Sequence, residues 1–232
     1  MRESGVPVRI AVGRFAEARS LAREYVEIAS ELTAHHQLHG VALLVEIEEL
    51  AGEWDAIRAL EADVKRAVAA NLATPCVRNA RSLLVCALAR ERLGDRTGSV
   101  ELEAAAAHLA PHAPGARLAL PKIGIALARG ELTRAAELLD EPVGAGASDT
   151  WLLAPWLATR VQVLAALGDA VMVEQETAQL LRPATYVEPF ALRALGMVRR
   201  DASILERAAA SFDRMGLESF ARETIVAQPA QP

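Results

Sequence analysis

Six glycines recur along the chain, at positions 13, 52, 94, 130, 168 and 216, separated by 39, 42, 36, 38 and 48 residues. Apolar residues at helical spacing run into each of them. Leu44, Ile47 and Ala51 lead to Gly52; Leu83, Cys86, Ala87 and Leu93 to Gly94; Trp156, Val161, Leu164 and Leu167 to Gly168. A loose period of about forty residues marks an array of helical hairpins. Glycine is needed at the centre of each because a helix commonly ends on a residue at positive φ, which glycine adopts without steric cost. An acidic residue follows at positions 53, 95, 131 and 169, where it opposes the positive end of the next helix dipole. Five residues after the glycine, Ala18, Ala135 and Ala221 permit close helix approach, whereas Ile57, Ser99 and Val173 show that the repeat is degenerate.

Composition agrees with helices. Hydrophobic residues make up 52% but aromatics only 4%, so the core is built from Ala, Leu and Val, and period-two runs of β-branched residues are rare. The fold expected is all-α, a superhelix (α-solenoid) of about five hairpins over residues 13–227, followed by a disordered tail at 228–232. Helices are expected near 14–31, 34–51, 53–71, 76–93, 95–109, 117–129, 131–140, 151–167, 170–182, 187–199, 201–215 and 217–227. Residues 1–12 are too few for a full first helix, and Val6, Val8, Ile10 and Val12 alternate as in a strand or a clipped helix. A repeat array needs a polar end cap. A truncated or irregular N-terminal segment with an exposed, association-prone apolar end is therefore expected.

The net charge is −5, with both signs interspersed and no basic stripe, which argues against nucleic acid as a direct ligand. Cys76 and Cys86 fall ten residues apart on one expected helix. That places them roughly 15 Å apart, beyond disulfide reach, as in a reducing compartment. The N-terminus lacks a secretory h-region, and the apolar stretch from Trp151 to Leu167 is broken by Pro155, Arg160 and Gln162. A cytoplasmic chain without membrane contact is expected.

The segments Gly13-Arg14-Phe15-Ala16-Glu17-Ala18 and Gly130-Glu131-Leu132-Thr133-Arg134-Ala135 resemble the centre of the tetratricopeptide repeat, although the spacing here is longer and the large aromatic of the first helix is mostly missing. Longer stretches carry a second resemblance. Leu32–Leu60, Asn71–Asp95, Leu180–Asp201 and Leu205–Thr224 look like the C-terminal helical repeat region that follows the ATPase module of bacterial LuxR-type regulators and class III adenylate or guanylate cyclases. The resemblance implies a regulatory, protein-binding module without catalysis. In that family the cyclase, nucleotide-binding and DNA-binding functions lie in other domains. The expected partner is a protein or peptide in the concave groove, or an attached ATPase or cyclase module.

Three sets of residues are candidates for chemistry. Arg78, Asn79 and Arg81 open one helix, and Arg117 and Arg160 lie on corresponding later helices; together they form a wall able to hold a peptide carboxylate. The alternative is that these arginines pair with Glu46, Glu48 and Glu49 of the preceding hairpin. His35, His36 and His39 form the second set. His35 and His39 lie one helical turn apart, a zinc-compatible spacing, with Glu31 or Glu46 as the nearest carboxylates for a metal-dependent hydrolase. The pattern is not H-E-x-x-H, and solvated or inter-helix histidines are the competing reading. Trp54, Trp151 and Trp156 form the third set and are expected as core anchors, with Trp151 alternatively an exposed binding anchor. Cys76 and Cys86 are read as small buried residues, and no motif calls for a cofactor.

Overall fold

The computed structural model describes residues 5–109, 116–140 and 152–226; Trp151, the loops at 111–115 and 142–146 and the tail at 228–232 lie outside them. Within these residues the chain forms thirteen helices and no strand. They are α1 (Gly5–Ala11), α2 (Phe15–Ser30), α3 (Ala34–Ala51), α4 (Trp54–Ala70), α5 (Val77–Arg92), α6 (Arg96–Leu109), α7 (Ala116–Ala128), α8 (Leu132–Leu139), α9 (Leu153–Leu167), α10 (Ala170–Leu180), α11 (Glu188–Arg199), α12 (Ala202–Arg214) and α13 (Glu218–Val226).

All six glycines have positive φ, between 70° and 83°. Each is fixed by the same pair of bonds: the hinge N–H donates to the carbonyl three residues back, and the next N–H to the carbonyl five residues before itself. At Gly52 these run to Glu49 and Glu48, and at Gly130 to Leu127 and Ala126. A seventh hinge escapes the glycine count. Arg200 has φ 54° and makes the same two bonds, to Met197 and, through Asp201, to Gly196. Asp201 then caps α12 by accepting from the Ser203 and Ile204 N–H groups. The apparent gap of 48 residues therefore conceals one more hairpin. Six antiparallel pairs result, with α13 folding back on α12, where about five hairpins were expected.

The position five residues past each hinge is buried in all seven cases: Ala18, Ile57, Ser99, Ala135, Val173, Leu205 and Ala221. It is the contact at which the second helix of a pair meets the first, so its degeneracy in sequence hides a constant structural role. From the second hairpin on, each packs on the next through its first helix, α3 on α5, α5 on α7, α7 on α9 and α9 on α11, while the first hairpin meets the second through α2 on α3.

The two ends of this series share one core. Val6, Ile10, Phe15, Leu43 and Ile47 belong to the same apolar cluster as Tyr186, Phe190, Phe212 and Phe220. The Tyr186 hydroxyl donates to the Leu50 carbonyl at 3.0 Å, the Tyr186 N–H to the Ala11 carbonyl at 3.0 Å, and Arg92 of α5 pairs with Glu223 of α13 at 3.6 Å. Of the apolar N-terminal end expected to be exposed, Val6 and Ile10 are thus covered. The alternating valines are helical rather than extended: Val6 and Ile10, four apart, face inward while Val8 and Val12 face solvent. Closure also shrinks the interior. Leu50, Leu88, Leu120, Ala158 and Phe190, from five first helices, line one cavity of about 70 Å³. It holds a few water molecules at most and no peptide.

Two glycines isolate the contribution of closure. Gly52 and Gly130 have the same φ, 74° and 73°, but a Cβ at Gly52 would lie 3.0 Å from the Phe220 ring, whereas one at Gly130 would meet nothing within 4 Å. Gly130→Ala is expected to cost about 1–2 kcal/mol of left-handed strain, and Gly52→Ala measurably more, in urea unfolding of the two variants. Equal losses would mean that α13 does not rest on the α3–α4 turn.

Candidate functional site

The arginine wall expected from the sequence is placed mostly inside the protein. Arg81 is 1% exposed, and its guanidinium meets Glu46 and Glu49 of α3, themselves 3% and 8% exposed. It also donates to the Arg117 carbonyl. That last bond has a cause in α7: Pro121 lacks the N–H that would ordinarily serve the carbonyl four residues back, which is Arg117. Arg81 thereby joins α3, α5 and α7. Arg78 adds a second contact to Glu46 at 3.3 Å. Burial pushes the Glu49 carboxyl up to about 7, with Arg81 lowering it and Glu46 raising it further. A peptide carboxylate would have to displace these buried glutamates to reach the two guanidiniums.

Asn79 is fully buried and holds the start of its own helix. Its Oδ1 accepts from the Cys76 N–H at 2.9 Å and from Asn71 Nδ2 at 3.0 Å, and Thr74 donates to Asn71 at 2.7 Å. Arg160 is half-buried on α9 and forms a two-oxygen contact with Glu176 at 2.8 Å, which raises its own pKa. Of the five residues, Arg78 and Arg81 share Glu46, whereas Arg160 pairs elsewhere. Other arginines also pair across hairpins: Arg90 with Glu61 at 2.7 Å, and Arg129 with Glu91 at 2.9 Å and Glu103 at 2.5 Å. Burial raises the Glu61 carboxyl, but hydrogen bonds from Arg90, Lys65 and Arg58 outweigh it and bring the group to about 2.

Trp156 is buried as expected, whereas Trp54 is only half-buried, with the Arg92 guanidinium 5.5 Å above its ring. On the outside of the array an open cleft of about 740 Å³ lies over α7 between α6 and α8. Leu84, Leu118, Ile125 and Leu138 form its apolar base, and Lys122, Glu131 and Arg134 stand at its charged margin. Nothing in the periodicity separates this face from any other, so it is not legible in the chain.

The histidines divide. His36 turns to the Thr33 hydroxyl at 2.9 Å, reinforcing the start of α3. The His35 and His39 rings lie against each other at a tilt of 42° with centroids 4.4 Å apart, and Cys76 comes in from the N-cap of α5, its Sγ 3.7 Å from His39 Nε2. One donor atom from each of His35, His39 and Cys76 falls within 4.8 Å of the other two. The carboxylates expected beside the histidines are not in this group among the described residues; Glu46 is held by Arg78 and Arg81. Cys76 is half-buried rather than buried, while Cys86 is enclosed and burial pushes its thiol up to about 12. Among the described residues no helix is long and apolar enough to cross a membrane. No protein-family model matches the chain, and no curated protein or solved structure matches it either.

Proposed function

We propose that the chain is a non-catalytic regulatory module that binds a partner protein, built as a tetratricopeptide-like array of helical hairpins. The observation that carries this reading is the outer cleft between α6 and α8. Its volume suits a helical turn or short extended segment, its base is aliphatic, and its margin is charged, the composition by which an amphipathic segment is recognised. Closure of the array leaves the inner cavity too small for this role and directs recognition outward. On the resemblance to helical regions of bacterial signalling proteins, the partner is an ATPase or cyclase module, acting in the cytoplasm.

Ala104 and Ala107 line the cleft from exposed positions on α6. Tryptophan at both fills it while leaving the core untouched. Affinity capture from the native cell with the wild-type chain is expected to retain an ATPase or cyclase in stoichiometric amount, and capture with Ala104→Trp/Ala107→Trp to lose it. Retention of the same proteins by both chains would overturn the assignment of the cleft.

A further inference from the structure

We propose that His35, His39 and Cys76 form a zinc-binding site joining the first turn of α3 to the N-cap of α5. Two imidazoles and a thiol are the donor set of tetrahedral zinc. Bonds of about 2.0–2.3 Å place such donors roughly 3.4–3.6 Å from one another. The Cys76 Sγ to His39 Nε2 distance of 3.7 Å is already there. The third donor lies within 4.8 Å of both, so small rotations of half-buried side chains close the set. A soft thiolate beside two imidazoles selects zinc over magnesium or calcium, which prefer oxygen.

Two further observations point to an ion rather than to a chance contact. His35 Nδ1 is shielded from solvent and has no hydrogen-bond partner among the described residues. Cys76 is positioned by a chain of side-chain hydrogen bonds: Asn79 accepts from its backbone N–H, Asn71 donates to Asn79, and Thr74 donates to Asn71. A ligand held by such a second layer costs little to order when the ion arrives. The three donors come from two hairpins that pack directly, so the ion fastens α3 to α5. It leaves a fourth coordination position for water or an incoming donor, and the thiol loses its proton to solvent on binding. The site is independent of the outer cleft, and the two fail or succeed separately.

The test is a metal titration of the reduced, purified full chain with zinc alone, and with cobalt(II) as a spectroscopic substitute. One zinc per chain is expected. Cobalt should show thiolate-to-metal charge-transfer absorption that is absent in Cys76→Ser. His39→Ala should weaken zinc binding by about a hundredfold, while His36→Ala leaves it unchanged. Zinc at about 100 times its Kd should raise the wild-type melting temperature by roughly 5–10 °C and leave that of Cys76→Ser unmoved. Circular dichroism confirms that each variant folds. The absence of stoichiometric binding by the wild type, or equal zinc affinity in wild type and His39→Ala/Cys76→Ser, would overturn the site.

Discussion

Arg81→Met is expected to destabilise the chain by about 3–5 kcal/mol, one of the largest losses available to a single substitution here. The cost does not come from the value of an ion pair as such, because burying a pair consumes much of its own attraction in desolvation. It comes from what remains. Glu46 and Glu49 would lie buried without their shared cation, and the Arg117 carbonyl, already deprived of a helix donor by Pro121, would lose its substitute. Three helices depend on this one guanidinium, so the loss should appear as a lower denaturant midpoint with an unchanged slope. Arg134→Ala provides the comparison. Its partner Glu137 lies one turn away on the exposed face of α8, and the change should stay within about 0.5 kcal/mol. Similar losses for the two arginines would show that Arg81 is not buried among α3, α5 and α7.

Phe190→Ala is expected to cost about 3–5 kcal/mol and to loosen a part of the chain far from it in sequence. Phe190 is 1% exposed and packs against Tyr186, Phe212 and Phe220 with ring centroids 4.8–5.0 Å apart. Arg193 lies over three of these rings at 5.6–5.7 Å, and burial lowers its pKa. This cluster is where the last helices meet the first. Hydrogen exchange should therefore rise in α1 and α2 as well as in α11–α13. Faster exchange confined to α11–α13 would contradict a shared core.

The hairpin grammar was legible because its cause is local. Left-handed backbone at a helix end selects glycine, and a dipole-facing acid follows. Where another residue takes that conformation, as Arg200 does, the same signal disappears, although Asp201 after it was a capping clue. Closure was not legible. It depends on Gly13, Gly52, Tyr186, Phe212 and Phe220, residues up to 207 positions apart that no period relates. The arginine positions were visible but their partners were not, since charge pairing across hairpins is decided by packing. Pro121 was the one available hint, because a proline inside a helix frees a carbonyl that some donor must reach. The histidine pair was readable from its spacing. Its third member, Cys76, is brought close by the stacking of α3 on α5 and could not be found from the chain alone.

The first and last helices of this array lie against each other. Spin labels at Arg14→Cys and Arg214→Cys, in a Cys76→Ser background, report on it directly by dipolar spectroscopy. Residues 13 and 215 are in contact range, since a Cβ at Gly13 would fall 2.8 Å from the Met215 side chain. Labels on the neighbouring residues should be within about 20 Å, given linker lengths similar to the helix spacing. An open stack of the same helices, spaced about 8–10 Å apart over five layers, would separate them by roughly 40 Å or more. A single short-distance population is the predicted result, and a distribution centred on the longer distance would contradict the account.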